Sequence, residues 1–252
     1  MIRRIILFCL CFLCSAFPAQ AEGTVVRITA AEFAPYIGAE LPEKGWAWEV
    51  ASLVLNEQGY RPELHIMPWA RAVELTRIGK MDGLYMANRN PEREEWAVFT
   101  NPVGQEVSVL FKLRDRPIDY VHLSDLGPYS IGTHRGASII GLLEDEGLTV
   151  RPLRGFSQGI KELERQQLDL FVGDRMVTTH ILKTQFPPDY ATMIDFLPKA
   201  ILKADLHLAL SRKTRDHEKI RSEFNRGLKQ IRDDGRYEAI LERHGFSTTL
   251  TN

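Results

Sequence analysis

Residues 80–100 read KMDGLYMANRNPEREEWAVFT, and the fold follows from how this stretch changes character along its length. Leu84, Tyr85 and Met86 form an apolar run of strand type, and Asn88, Arg89 and Asn90 a polar strand-end loop. Pro91 suits the first position of a short helix, where an N–H would go unpaired anyway. Arg93 falls within that first turn, so free backbone N–H groups and a guanidinium can converge on one anion. A carboxylate is the natural guest. The competing reading pairs Arg93 with Glu94, Glu95 or another surface acid at little energetic gain.

Toward the N-terminus, residues 24–30 (TVVRITA) alternate and are rich in β-branched side chains, which predicts a strand. Residues 46–58 carry apolar residues at helical spacing and stop at Gly59, a suitable C-cap. A second strand is expected over 62–67 and a helix from Pro68 to Ile78, ending at Gly79. With the strand of the opening stretch the order is βαβαβ, which requires a parallel sheet with crossover helices. Phe33, Pro35 and Tyr36 place rings at the carboxyl end of the first strand, and Trp69 sits at the end of the second. Open α/β sheets hold ligands at such ends. Trp46 and Trp48 read equally well as a helix face packed on the sheet.

Toward the C-terminus the pattern repeats. Strands are expected at 107–113, 129–133, 151–153, 168–172 and 204–211, with helices through about 146, over 157–166 with Ser157 as N-cap, and over 213–233 and 237–244. His134, Arg135, Gly136, Ala137 and Ser138 form a strand-to-helix turn whose backbone N–H groups are open to an oxygen-rich ligand. Gly173-Asp174 ends an apolar strand, where the carboxylate can meet a ligand ammonium or cap a helix. Two similar α/β blocks result, and the simplest packing returns the final helices to the first block.

At the other extreme, MIRRIILFCLCFLCSAFPAQA has Arg3 and Arg4, an apolar run and a small-x-small end, the pattern of a secretory signal peptide cleaved after Ala21. Its loss turns the 32 basic and 33 acidic residues into 30 and 33. Such a balance gives no reason to expect nucleic acid or anionic lipid as a partner. Cys9, Cys11 and Cys14 all lie within this segment, so the mature chain can form no disulfide or thiolate metal site.

Three of these patterns together resemble the bacterial extracellular solute-binding proteins of family 3, the periplasmic type II receptors of the polar amino-acid transporter class. They are Phe33-Ala34-Pro35-Tyr36 with Gly45-Trp46 and Glu49, the Gly-x-x-Asp to Pro-Glu-Arg to Phe-Thr signature over 79–100, and the tail IRDDGRYEAILERH at 231–244. The resemblance covers essentially the whole mature chain. It implies an α/β, two-lobed periplasmic binding protein type II fold, each lobe a mainly parallel sheet flanked by helices. Residues 22–104 and 206–252 would form lobe 1 and residues 105–205 lobe 2, joined by a two-segment hinge that closes on a ligand. It also implies roles: Arg93 for an α-carboxylate, Asp174 for the ammonium, Phe33 and Trp69 bracketing the side chain, and His134, Arg135, Gly136 and Ser138 donating hydrogen bonds from lobe 2. Met86 and Asn88 stand where amino-acid binders of the family carry small hydroxyl or glycine residues, and Met86 narrows the pocket.

The expected function is therefore non-enzymatic capture of a small polar solute, an amino acid or related carboxylate, by a monomer that delivers it to an ABC permease in the inner membrane. A sensor without a transporter is the alternative. A hydrolase or dehydratase on the same fold is a weaker one and would draw on Glu32, His134 and Asp174. No cofactor or metal is implied.

Overall fold

The computed structural model describes residues 23–135, 137 and 139–246. The expected signal peptide, Gly136 and Ser138 lie outside the described residues. Strand β1 (Thr24–Ala30) buries Ile28, Thr29 and Ala30 completely, because it is a central strand with parallel neighbours on both sides. Those neighbours are β2 (Tyr60–Ile66) and β3 (Gly83–Asn88), reached through α1 (Trp46–Glu57) and α2 (Trp69–Arg77). β2 starts two residues before the expected point and contains Pro62. Proline is tolerated because β2 ends the sheet and uses only one side for pairing. After β3 come α3 (Pro91–Trp96), β4 (Ala97–Phe99) and the long β5 (Gly104–Leu113).

The second half repeats the arrangement with β6 (Ile131–His134), α4 (Ile139–Asp145), β7 (Val150–Leu153), α5 (Phe156–Glu164) and β8 (Leu170–Asp174). Helices α6 (Arg175–Gln185) and α7 (Pro188–Met193) and strand β9 (Ile194–Phe196) follow, none of which the sequence pattern gave. β10 (Leu202–Ser211), α8 (His217–Asp233) and α9 (Arg236–Arg243) end the described chain. Ser157 is not an N-cap: Gly155 holds that position, and the Ser157 hydroxyl bonds Gln185 instead at 3.2 Å. Helix α8 begins at His217 rather than 213 because residues 212–215 turn and Asp216 adopts φ 59°.

The ten strands form one curled sheet in the order β2-β1-β3-β10-β5-β8-β6-β7, with β4 added to β10 and β9 to β5. Each half is a parallel triplet closed by one antiparallel long strand, β10 beside β3 and β5 beside β8. The two long strands pair with each other from Leu202 opposite Ser108 to Leu206 opposite Gly104. Two adjacent crossings therefore link the halves. The carboxyl ends of both triplets point toward this junction.

The first core joins Ile28, Trp46, Val50 and Val54 to Phe224, Leu228, Ile231 and Leu241. Helices α8 and α9 thus return to the first half and pack on α1, as the leftover amphipathic pattern implied. Two further cores lie around Leu110, Leu126 and Leu170 and around Phe111, Ile160 and Phe171. No helix of the described residues is long and apolar enough to cross a membrane.

Candidate functional site: the interlobe cleft

A cleft of about 450 Å³ opens at the junction, lined by residues from both halves. That volume lies within the range of small-molecule sites, roughly 300–1,000 Å³. Phe33, Trp69, Met86, Asn88 and Arg93 line it from the first half and His134, Arg135 and Asp174 from the second, so the described residues singled out by sequence converge.

Arg93 owes its position to local chain chemistry. The Asn90 side chain caps α3 by accepting the Arg93 N–H at 2.8 Å, with Pro91 in the first turn. The helix start then directs the Arg93 side chain back over the end of β3. Its Nη1 donates to the Asn88 carbonyl at 2.9 Å and to the Asn88 side-chain oxygen. Its Cζ lies 5.2 Å from the centre of the Trp69 ring, a cation–π arrangement. Glu94 pairs with Arg89 instead, at 3.0 Å, and no described ion pair includes Arg93. Burial lowers the Arg93 pKa, without approaching neutrality for a guanidinium.

Met86 precedes Asn88 with φ 54°, left-handed backbone that costs a non-glycine residue about 1–2 kcal/mol. The cause is a bulge: Tyr85 pairs with Leu208 and Ala87 with His207, leaving Met86 unpaired between them. The bulge turns the Met86 side chain into the cleft wall.

Opposite, Asp174 does cap a helix. Its Oδ1 accepts the Val177 N–H at 2.8 Å, and its Oδ2 accepts the Val107 N–H at 3.0 Å and the Tyr36 hydroxyl at 3.2 Å. It is 1% exposed. Burial pushes its pKa up to about 6, against the opposing pull of these bonds and of the Met176 N–H. Tyr36 stacks on Phe33 with ring centres 4.9 Å apart, so the cleft aromatic and the buried acid are tied through one loop.

His134 stacks on Phe156 at 4.8 Å, and burial lowers its pKa, which favours the neutral ring. Arg135 is exposed at the rim, its N–H held by the Leu153 carbonyl at 2.8 Å. Glu32 also reaches the cleft, but both its oxygens accept the Ala39 N–H at 3.2 Å and brace the loop after β1. Among the described residues no group of three or more His, Cys, Asp or Glu side chains is placed to hold a metal ion.

One charged residue escaped the sequence reading. Glu106 lines the cleft on the strand face it shares with Ser108, whose side chain favours its ionised form. Burial, then the nearby Asp174 charge, push its pKa up to about 7. The available signal was the alternation at the start of β5, where Glu106 and Ser108 share one face and Val107 and Val109 the other. A strand begun at Val107 leaves that pattern incomplete.

Two α/β halves bridged by paired long strands, with a polar cleft at their facing strand ends, define a type II solute-binding protein. The chain belongs to the bacterial extracellular solute-binding proteins, family 3, whose model matches residues 25–247. Among solved structures, a histidine kinase sensor domain with similarity to periplasmic binding proteins aligns with TM-score 0.72 at 20% identity, over 88% of this chain and 96% of its own. The arginine-, lysine-, histidine-binding protein ArtJ from Geobacillus stearothermophilus aligns with TM-score 0.70 at 18% identity, over 90% and 97%. A ligand-binding core from Nostoc punctiforme in complex with L-glutamate gives 0.71 at 14%, over 86% and 98%. At these identities the likeness is one of fold. A search of curated proteins returns no significant match.

Proposed function

We propose that the protein captures an amino acid or a related small polar carboxylate outside the cytoplasmic membrane and hands it to an ABC permease, without chemical turnover. Residues 22–104 with 206–252, and residues 105–205, would act as two lobes moving about the paired segments of β5 and β10. The carrying observation is Arg93: a cation lining the cleft, with no carboxylate ion-pair partner among the described residues, held by Asn88 and Trp69. Such a guanidinium presents a planar fork to a carboxylate. Phe33 and Trp69 supply apolar walls, and His134 has a buried Nδ1 without a partner among the described residues that a ligand group can satisfy. Family membership supports an extracytoplasmic location and a solute cargo. The names of structural neighbours, which include amino-acid receptors, support the ligand class.

The test is a thermal-shift screen of amino acids, polyamines and organic acids, followed by calorimetry. A carboxylate-bearing ligand is expected to raise the melting temperature of the wild type, and Arg93→Ala is expected to lose that shift. A hit whose shift survives in Arg93→Ala rules out the clamp. A second reading, a solute sensor for a membrane kinase, is favoured by the likeness to the kinase sensor domain. Uptake of the radiolabelled hit by cells with and without the gene separates the two.

A further inference from the structure

The family resemblance gives Asp174 to the ligand's ammonium, yet the hydrogen-bond accounting leaves Asp174 little to offer. An ionised carboxylate has about four acceptor sites. Here the N–H groups of Val177 and Val107 bond to it, the Met176 N–H favours its ionised form, and the Tyr36 hydroxyl divides its proton between it and the Gln105 carbonyl, while the side chain is 1% exposed. Glu106 is differently placed. It projects into the same cleft from the neighbouring strand, with Ser108, its companion on that face, directly opposite Asp174 in the β5–β8 register. The Ser108 side chain favours its ionised form, and among the described residues no ion pair includes it. A largely buried carboxylate without a counter-ion is costly, and the cost is removed by a cation delivered from the cleft.

Resting on the reading of this cleft as a solute site, we infer that Glu106, rather than the enclosed Asp174, meets the ligand's cationic group, so the solute carries an ammonium or guanidinium besides the anionic group bound by Arg93. Asp174 then acts as a positioning residue that ties β5, α6 and the loop after β1 and adds a background negative field. Succinate-like diacids and other anions without a cation are poor ligands on this scheme, because they set a second negative charge against Glu106.

The experiment is calorimetry at pH 8 with L-arginine, L-glutamine, L-glutamate, putrescine and succinate, on the wild type, Glu106→Gln and Arg93→Ala. At least one of the first three is expected to bind the wild type, with affinity falling tenfold or more in Glu106→Gln while the ligand-free melting temperature holds or rises. The charged or titratable groups that share the cleft with Glu106 are Glu32, Arg93, His134, Arg135 and Asp174, and the Tyr36 hydroxyl also feels its charge. Cation binding requires ionised Glu106, so wild-type affinity is expected to be weaker at pH 6 than at pH 8, with a flatter profile in Glu106→Gln. Wild-type-like binding of the amino-acid hit by Glu106→Gln, or a wild type that binds succinate alone, overturns the inference and leaves the solute-site reading standing. Binding of nothing in the panel by the wild type overturns both.

Discussion

Replacing Glu106 by glutamine keeps the size of the side chain and removes a charge that the ligand-free fold holds at a cost. The carboxyl sits at about 7 against an ordinary 4.5, chiefly through burial and then through Asp174. A carboxyl raised on folding binds its proton more tightly in the folded state. Its contribution to stability is therefore complete below the unfolded value and is lost as pH rises through the folded value. At 1.36 kcal/mol per pH unit, the loss between pH 4.5 and pH 8 is about 3 kcal/mol at most, and solvent contact at the cleft mouth reduces it. For a chain of this size that corresponds to an upper bound of about 6–12 °C in melting temperature. The wild-type profile alone does not isolate the term. His134, His180 and His207, all lowered by burial, contribute in the opposite direction over the same range, since buried neutral imidazoles lose stability as pH falls. The difference between wild type and Glu106→Gln cancels them. Melting curves of both proteins without ligand at pH 5, 6, 7 and 8 are expected to diverge with rising pH, the variant gaining on the wild type. A difference constant across that range refutes the account of Glu106 as a desolvated acid.

Asp174→Ala removes the cap of α6 and leaves the buried Val107 N–H without its acceptor. A loss of about 2–4 kcal/mol in urea unfolding is expected, and wild-type stability would show that Asp174 does not tie these elements. Asn90→Ala removes the side-chain cap that accepts the Arg93 N–H; about 1 kcal/mol of stability and a measurable part of ligand affinity should go together, the second read by calorimetry. Gly45→Ala forces a side chain onto φ 96°, with its Cβ 2.5 Å from the Tyr36 carbonyl oxygen. A destabilisation of at least ~2 kcal/mol is expected in denaturant melts.

The residues most legible in the sequence are those whose placement is decided within a few positions of chain. Asn90, Pro91 and Arg93 make one turn, and the turn directs the Arg93 side chain toward Asn88 and Trp69. The βαβαβ order was legible because helical and strand periodicities alternate with glycine stops at Gly59 and Gly79, both at positive φ in the structure. Helices α6 and α7 were not, because MVTTHILKTQ mixes β-branched and polar residues without a clear face and its helix start depends on the Asp174 cap. Ser157 was misread for a related reason: a serine near a helix start resembles a cap, but the chain turns two residues earlier at Gly155. For Glu106 the local signal was only the alternation it shares with Ser108 at the start of β5, and the pairing of β5 with β8 and β10 decides that this face borders a cleft.

These contrasts also bear on where binding selectivity resides. Arg93 is fixed by Asn88 and Trp69, and Asp174 by the Val177 and Val107 N–H groups and the Tyr36 hydroxyl, so both are oriented without a ligand and cost little to engage. A group held mainly by protein gains little from one guest over another. Glu106 differs in having, among the described residues, neither a backbone N–H donor to its carboxyl nor a counter-ion. The free energy of its desolvation is recovered only by a ligand that brings positive charge, whereas an anion or a neutral isostere leaves it unrecovered. Discrimination by an unpaired buried group generally exceeds discrimination by apolar fit. On the proposed reading, Phe33, Trp69 and Met86 would set how large a side chain fits, and the charge state of Glu106 would set whether a solute of that size is held.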